Sequence, residues 1–174
     1  MAPVCMNLGR FLLGALAPLA ATLAIAVEPG APAPGFRLTT LDSQQQIALA
    51  DYRGKVVLVD FWASWCGPCR QSLPLYDQLR AGLPAADFAI LAINLDEEAA
   101  DARAFLREHP VKYTTLQNPQ GDIAKAFGLS GMPSSYLIDR DGVVRQRHIG
   151  FEPADIDALR REIDALIGQP AHAS

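Results

Sequence analysis

Cysteine is scarce in this chain: three residues in 174, at Cys5, Cys66 and Cys69. No second Cys-x-x-Cys exists, and His109, His148 and His172 are scattered, so the four ligands of a structural zinc are missing. A bridge from Cys66 to Cys69 would close too small a loop to restrain the unfolded chain, which argues against a purely structural disulfide. There is no block of like charge. The 15 Lys and Arg and 19 Asp and Glu are interspersed and leave a net charge of −4, which excludes a nucleic-acid surface. There is no internal repeat and no low-complexity stretch, so the length fits one domain and a terminal segment.

Long apolar runs are also lacking. The longest uncharged one, Phe11 to Val27, spans 17 residues and is interrupted by Gly14 and Pro18. It follows the single basic residue Arg10 and ends at Ala24-Ile25-Ala26, the pattern of a secretory signal cleaved after Ala26. Its length also lies within the range tolerated by a spanning helix, so an uncleaved N-terminal membrane anchor is the alternative. Cys5 precedes the apolar stretch, too early for a lipoprotein cleavage site. Both readings place the domain outside the cytoplasm, in a bacterial periplasm, where cysteines meet an oxidising compartment. The expected organisation is 1–26 signal or anchor, 27–35 linker, 36–168 domain and 169–174 tail.

What the chain does have is Trp65-Cys66-Gly67-Pro68-Cys69 between two strong signals. Lys55 to Phe61 is apolar and β-branched, as in a strand buried on both faces. Arg70 to Arg80 carries Leu73, Tyr76 and Leu79 at helical spacing, continued by Leu83. The cysteines therefore sit where a core strand turns into a helix. Cys66 is expected at the helix N-terminus, where free N–H groups and the dipole favour a thiolate. Pro68 suits a first turn. Cys69, one turn on, is placed to attack a mixed disulfide on Cys66. That is a nucleophile and a resolving thiol, needing no cofactor beyond a redox-active Cys66–Cys69 disulfide.

The remaining elements follow in order. Glu28 to Gly35, rich in proline and glycine, reads as a linker. Phe36 to Leu41 and Ile47 to Leu49 read as short strands around a polar turn. Phe88 to Leu95 reads as a buried parallel strand and Glu97 to Glu108 as a helix; Pro110 to Asn118 reads as a turn. Gly121 to Phe127 reads as a short helix. Tyr136 to Asp139 and Val143 to His148 form a hairpin around Arg140-Asp141-Gly142. Pro153 to Ile167 closes the chain as an amphipathic helix, and Pro74 is expected to kink the first one.

Val57 to Cys69 resembles the active-site segment of the thioredoxin superfamily, and Gly131 to Asp139 is similar to its cis-proline loop and following strand. Pro34 to Leu38, Leu49 to Lys55 and Ile93 to Glu97 narrow the resemblance to the TlpA/ResA-like extracytoplasmic thioredoxins. The resemblance implies an α/β thioredoxin fold, a central mixed sheet flanked by helices, with an N-terminal β-hairpin and a central helical insertion. It also implies site residues. Asp60, a carboxylate inside an apolar strand, would be the buried proton acceptor behind Cys69. Its structural alternative is an aspartate bonded to backbone N–H groups at a strand end. The lysine that faces it in thioredoxins is replaced by Ala92. Glu97 would be a second acid–base group near the cysteines; its alternative is a charge favoured by a helix N-terminus. Pro133 would be cis, with Met132 against the disulfide, and the two would dock substrate together with Gly67 and Pro68. Trp65 would be a lid over the thiols rather than packing.

The function implied is a thiol:disulfide oxidoreductase in which Cys66 attacks and Cys69 resolves. The Gly67-Pro68 pair is that of thioredoxin, which favours a reductant of protein disulfides, serving apocytochrome c or copper-site proteins and recharged by a membrane thiol reductase. A monomer is expected. The rivals are an oxidant or isomerase of secreted proteins and a non-enzymatic binding module. A peroxidase of the related redoxin class would need threonine where Ala63 stands.

Overall fold

Every residue of the strand Val56–Trp62 is buried, because its β-branched and aromatic side chains are covered on both faces of the sheet. This strand, β3, lies inside a seven-stranded mixed sheet of order β2-β1-β5-β4-β3-β6-β7. The computed structural model describes residues 26–170. The expected signal or anchor, Cys5, His172 and most of the tail lie outside the described residues. The other strands are β1 (Arg37–Thr40), β2 (Gln46–Ala48), β4 (Phe88–Asn94), β5 (Thr114–Gln117), β6 (Ser134–Ile138) and β7 (Val144–Ile149). The helices are α1 (Cys69–Ala81), α2 (Ala99–Glu108), α3 (Asp122–Ala126) and α4 (Asp155–Ile167). A single 3₁₀ turn, Leu49–Tyr52, follows β2.

Strand alternation divides the core. Leu58 and Trp62 of β3 face a layer built from Leu73, Tyr76 and Leu79 of α1, Phe105 of α2, and Leu159 and Ile163 of α4. Val57, Val59 and Phe61 face the other way, onto Phe36, Leu116, Phe127 and Tyr136. There Phe61, Phe127 and Tyr136 meet edge to face, with centroids 4.9 to 6.0 Å apart. β3 runs parallel to β4 and antiparallel to β6, the mixed sheet of the thioredoxin fold.

Two stretches differ from the sequence-based expectation. Pro110 to Asn118 is more than a turn, because it contains β5, parallel to β4 and antiparallel to β1. Tyr113 to Gln117 has the composition of a strand, but Pro110 and Asn118-Pro119 crowd it from both sides. Among the described residues, the N-terminal hairpin thus joins the core sheet through β5. The second is the proline-rich stretch from Glu28. It lies along the edge strand β7: Gly30 N–H donates to Val144 O (2.7 Å), and Val144 N–H donates to Ala31 O (3.0 Å). An edge strand leaves backbone groups to be paired, and this segment pairs them. Val27 is buried ahead of it. Gly128 permits the approach, since with φ +67° a Cβ built there would stand 2.1 Å from the Ala26 Cα.

Candidate active site

The β3 run ends at Trp62, and the chain turns through Ala63 and Ser64 to the cysteines. Cys66 and Cys69 are joined as a disulfide, with Cα atoms 5.3 Å apart. The helix begins at Cys69, so Cys66 stands three residues ahead of it, in a turn whose N–H groups bond backward. Cys69 N–H donates to Cys66 O (3.1 Å) and Arg70 N–H to Gly67 O (3.2 Å). Both cysteines are largely enclosed: Cys66 keeps 5% exposure and Cys69 none, so the outer sulfur is the accessible one. Pro74 lies within α1 without ending it.

A groove of about 530 Å³ opens over Cys66. Trp65, Gly67 and Pro68 form one wall; Leu95, Leu129, Gly131 and Met132 form the other. No charged side chain among the described residues lines it. Trp65 is 70% exposed, which rules out core packing and puts the indole at the groove rim. The Met132–Pro133 peptide is cis, as the resemblance implies, and Met132 faces the disulfide across the groove. Pro133 itself is buried behind it, held by Gly150 N–H to Pro133 O (2.8 Å) and by Ser134 Oγ–H to Gly131 O (2.7 Å).

Asp60 faces the same layer as the cysteines and is fully buried. Neither carboxylate oxygen has a hydrogen-bond partner among the described residues, so the strand-end alternative does not hold. Burial raises its pKa well above the ordinary carboxylate range. The position opposite on β4 is Ala92, as the alignment of Ile93 to Asp96 requires. On its other side Asp60 is registered with Ser135 of β6. Burial and then the charge of Asp60 raise the pKa of the Tyr76 phenol, and the same two causes act on Tyr113, whose hydroxyl donates to Leu73 O (3.1 Å).

Glu97 is not brought to the cysteines in this way. It is exposed in the loop between β4 and α2, two residues beyond Leu95 and outside the groove lining. The neighbouring Asp96 is the structured carboxylate, buried to 4%. It accepts the Ser64 N–H (3.0 Å), the Ser64 Oγ–H (2.9 Å) and Asn94 Nδ2–H (2.8 Å). That network clamps the loop carrying Trp65 and Cys66 to the end of β4. Sequence reasoning missed it; the only signal was two polar residues, Asn94 and Asp96, closing an apolar strand.

Residues 29–147 match the model of the AhpC/TSA family. The chain is 33% identical to a thiol-disulfide oxidoreductase ResA of Bacillus thuringiensis subsp. konkukian over 120 residues, 69% of each protein. It is 32% identical to the thioredoxin-like protein YneN of Bacillus subtilis over 129 residues, 72% of this chain and 74% of that one. Among solved structures, a Chlorobium tepidum protein described as a thiol:disulfide interchange protein DsbE superposes with a TM-score of 0.79 at 43% identity. The match covers 82% of this chain and 100% of that one.

Proposed function

The chain belongs to the AhpC/TSA family and is a thiol-disulfide oxidoreductase of thioredoxin-like fold, and from that premise we propose that it reduces protein disulfides in the periplasm. The observation that carries the reading is a Cys66–Cys69 bridge at the floor of an apolar groove with an unpartnered carboxyl buried on the same side of the sheet. In the reduced protein the Cys66 thiolate attacks a substrate sulfur and expels the first substrate thiolate. Asp60, in the ionised form it takes above its raised pKa, then accepts the proton of Cys69. The Cys69 thiolate attacks Cys66 Sγ, closing the internal disulfide and releasing the second substrate thiolate. Two electrons pass to the substrate, and a membrane thiol reductase returns them.

Apolar segments beside the target cysteine would lie along Trp65, Pro68 and Met132, which suits an unfolded substrate such as apocytochrome c or a copper-site protein before assembly. Glu97, exposed two residues beyond Leu95, is a secondary contact for the substrate. The exchange needs no cofactor beyond the two sulfurs. Ala63, fully buried ahead of the cysteines, argues against peroxide reduction by the redoxin route. Insulin reduction tests the activity, and trapping with Cys69→Ser identifies the substrates. Efficient oxidative refolding of a reduced protein, with no reduction of insulin, would overturn the reductant reading in favour of an oxidant.

A further inference from the structure

Asp60 is sealed from solvent, so a proton it accepts must leave by way of a neighbour. On one side the neighbour is Ala92, whose methyl group cannot carry a proton. On the other side the strands continue the row: Asp60 is registered with Ser135 of β6, and Ser135 with His148 of β7. Directly opposite residues of antiparallel strands share a face, with Cβ atoms about 4.5–5.5 Å apart. Ser135 Oγ is buried and, like Asp60, makes no well-formed hydrogen bond among the described residues, although the Tyr76 hydroxyl lies close enough to act on it. A hydroxyl both donates and accepts and turns among staggered rotamers, so Ser135 is able to serve either neighbour. At the end of the row His148 Nε2 lies 3.0 Å from Glu162 Oε2 of α4, at ion-pair distance without hydrogen-bond alignment. Nε2 and Oε2 are themselves buried, but the two side chains are 32% and 30% exposed, so the row meets water through the rest of the His148 ring and the Glu162 carboxylate.

Resting on the reading that Asp60 is the base for Cys69, we infer that Asp60, Ser135 and His148 form a proton path across the sheet. After Cys69 gives up its proton, the neutral Asp60 carboxyl passes it to Ser135 Oγ. Ser135 gives its own proton to the neutral ring of His148 in the same movement. Glu162 balances the imidazolium until water takes the proton. No electrons move along the row; the substrate thiolates take their protons from solvent, which closes the balance. The other groups facing Asp60 are Tyr76 of α1 and Tyr113 ahead of β5. Tyr113 is committed to Leu73 O, while Tyr76 lies beside Ser135 and in the field of both Asp60 and Asp155 at the start of α4, which makes its hydroxyl the rival partner for Ser135.

The reduced protein mixed with excess 5,5′-dithiobis(2-nitrobenzoate) releases one chromophore on attack and a second on resolution, and stopped-flow traces from pH 5 to 9 separate the two. Ser135→Ala and His148→Gln should slow the second phase about tenfold while leaving the first phase unchanged. Ser135→Thr, which keeps the hydroxyl, should retain the wild-type second phase. The path is overturned if Ser135→Ala resolves at the wild-type rate, if Ser135→Thr loses as much as Ser135→Ala, or if Tyr76→Phe alone slows resolution. Wild-type failure to reduce insulin, with both phases and their variant effects intact, would overturn the reductant reading and support the path.

Discussion

Replacing Asp60 by Asn should stabilise the protein, and the gain should grow with pH. Asp60 is enclosed and unpartnered, and burial raises its folded-state pKa well above the ordinary value, which it regains on unfolding. Between those two pKa values the folded protein holds one proton more than the unfolded chain. Stability contributed by the neutral carboxyl is therefore complete below the unfolded pKa. It is lost as pH rises, and the loss levels off above the folded pKa. One proton corresponds to about 1.4 kcal/mol per pH unit across the window. Asparagine keeps the shape and does not titrate, so the difference between variant and wild type cancels every other carboxylate. In Tm, one pH unit inside the window should widen the gap by about 3–6 °C for a domain of this size. Differential scanning calorimetry on both oxidised proteins from pH 4 to 8 measures it. A gap that is flat with pH, or one that narrows as pH rises, would show that Asp60 is paired or hydrated in solution and would refute the reasoning.

Three further outcomes are expected. Iodoacetamide at mildly acidic pH should label Cys66 rather than Cys69, because only Cys66 opens to the groove; preferential labelling of Cys69 by mass spectrometry would reverse their roles. The midpoint potential, set in part by Gly67-Pro68, should fall within about 60 mV of the thioredoxin value near −270 mV in a glutathione titration; a value near −120 mV would make the protein an oxidant. Asp96→Ala should cost roughly 3 kcal/mol in urea unfolding, since it strands the Ser64 and Asn94 donors, and should slow attack by Cys66; a loss under about 1 kcal/mol would mean that the loop is held by other contacts.

The elements around the cysteines were legible because their signals are local. An apolar β-branched run, a turn with Gly67-Pro68 and a helical apolar stripe follow one another within about thirty residues, and the Arg140-Asp141-Gly142 turn announces its own hairpin. Alignment to the family also placed Ala92 opposite Asp60, which the β3–β4 register bears out. The misses depend on distant partners. β5 is four residues long and gains its strand conformation from β1 and β4 on either side, whereas its sequence flanks suggest turns. The resemblance pointed to Glu97, whereas the inward carboxylate is Asp96, which is held by Ser64, 32 residues away. The segment from Glu28 has a linker's composition, yet the open edge of β7 recruits it.

The attachment of the N-terminal hairpin through β5 also bears on solubility. β1 shields one edge of β5 along Thr39 and Thr40, which pair with Gln117 and Leu116. Without that shield Thr114-Thr115-Leu116-Gln117 would be an uncharged, β-branched edge, the kind of strand that recruits a second chain. The hairpin is thus a chaperone in cis for the sheet. A chain trimmed to begin at Asp51 keeps both cysteines, and it should self-associate through β5 as its concentration rises.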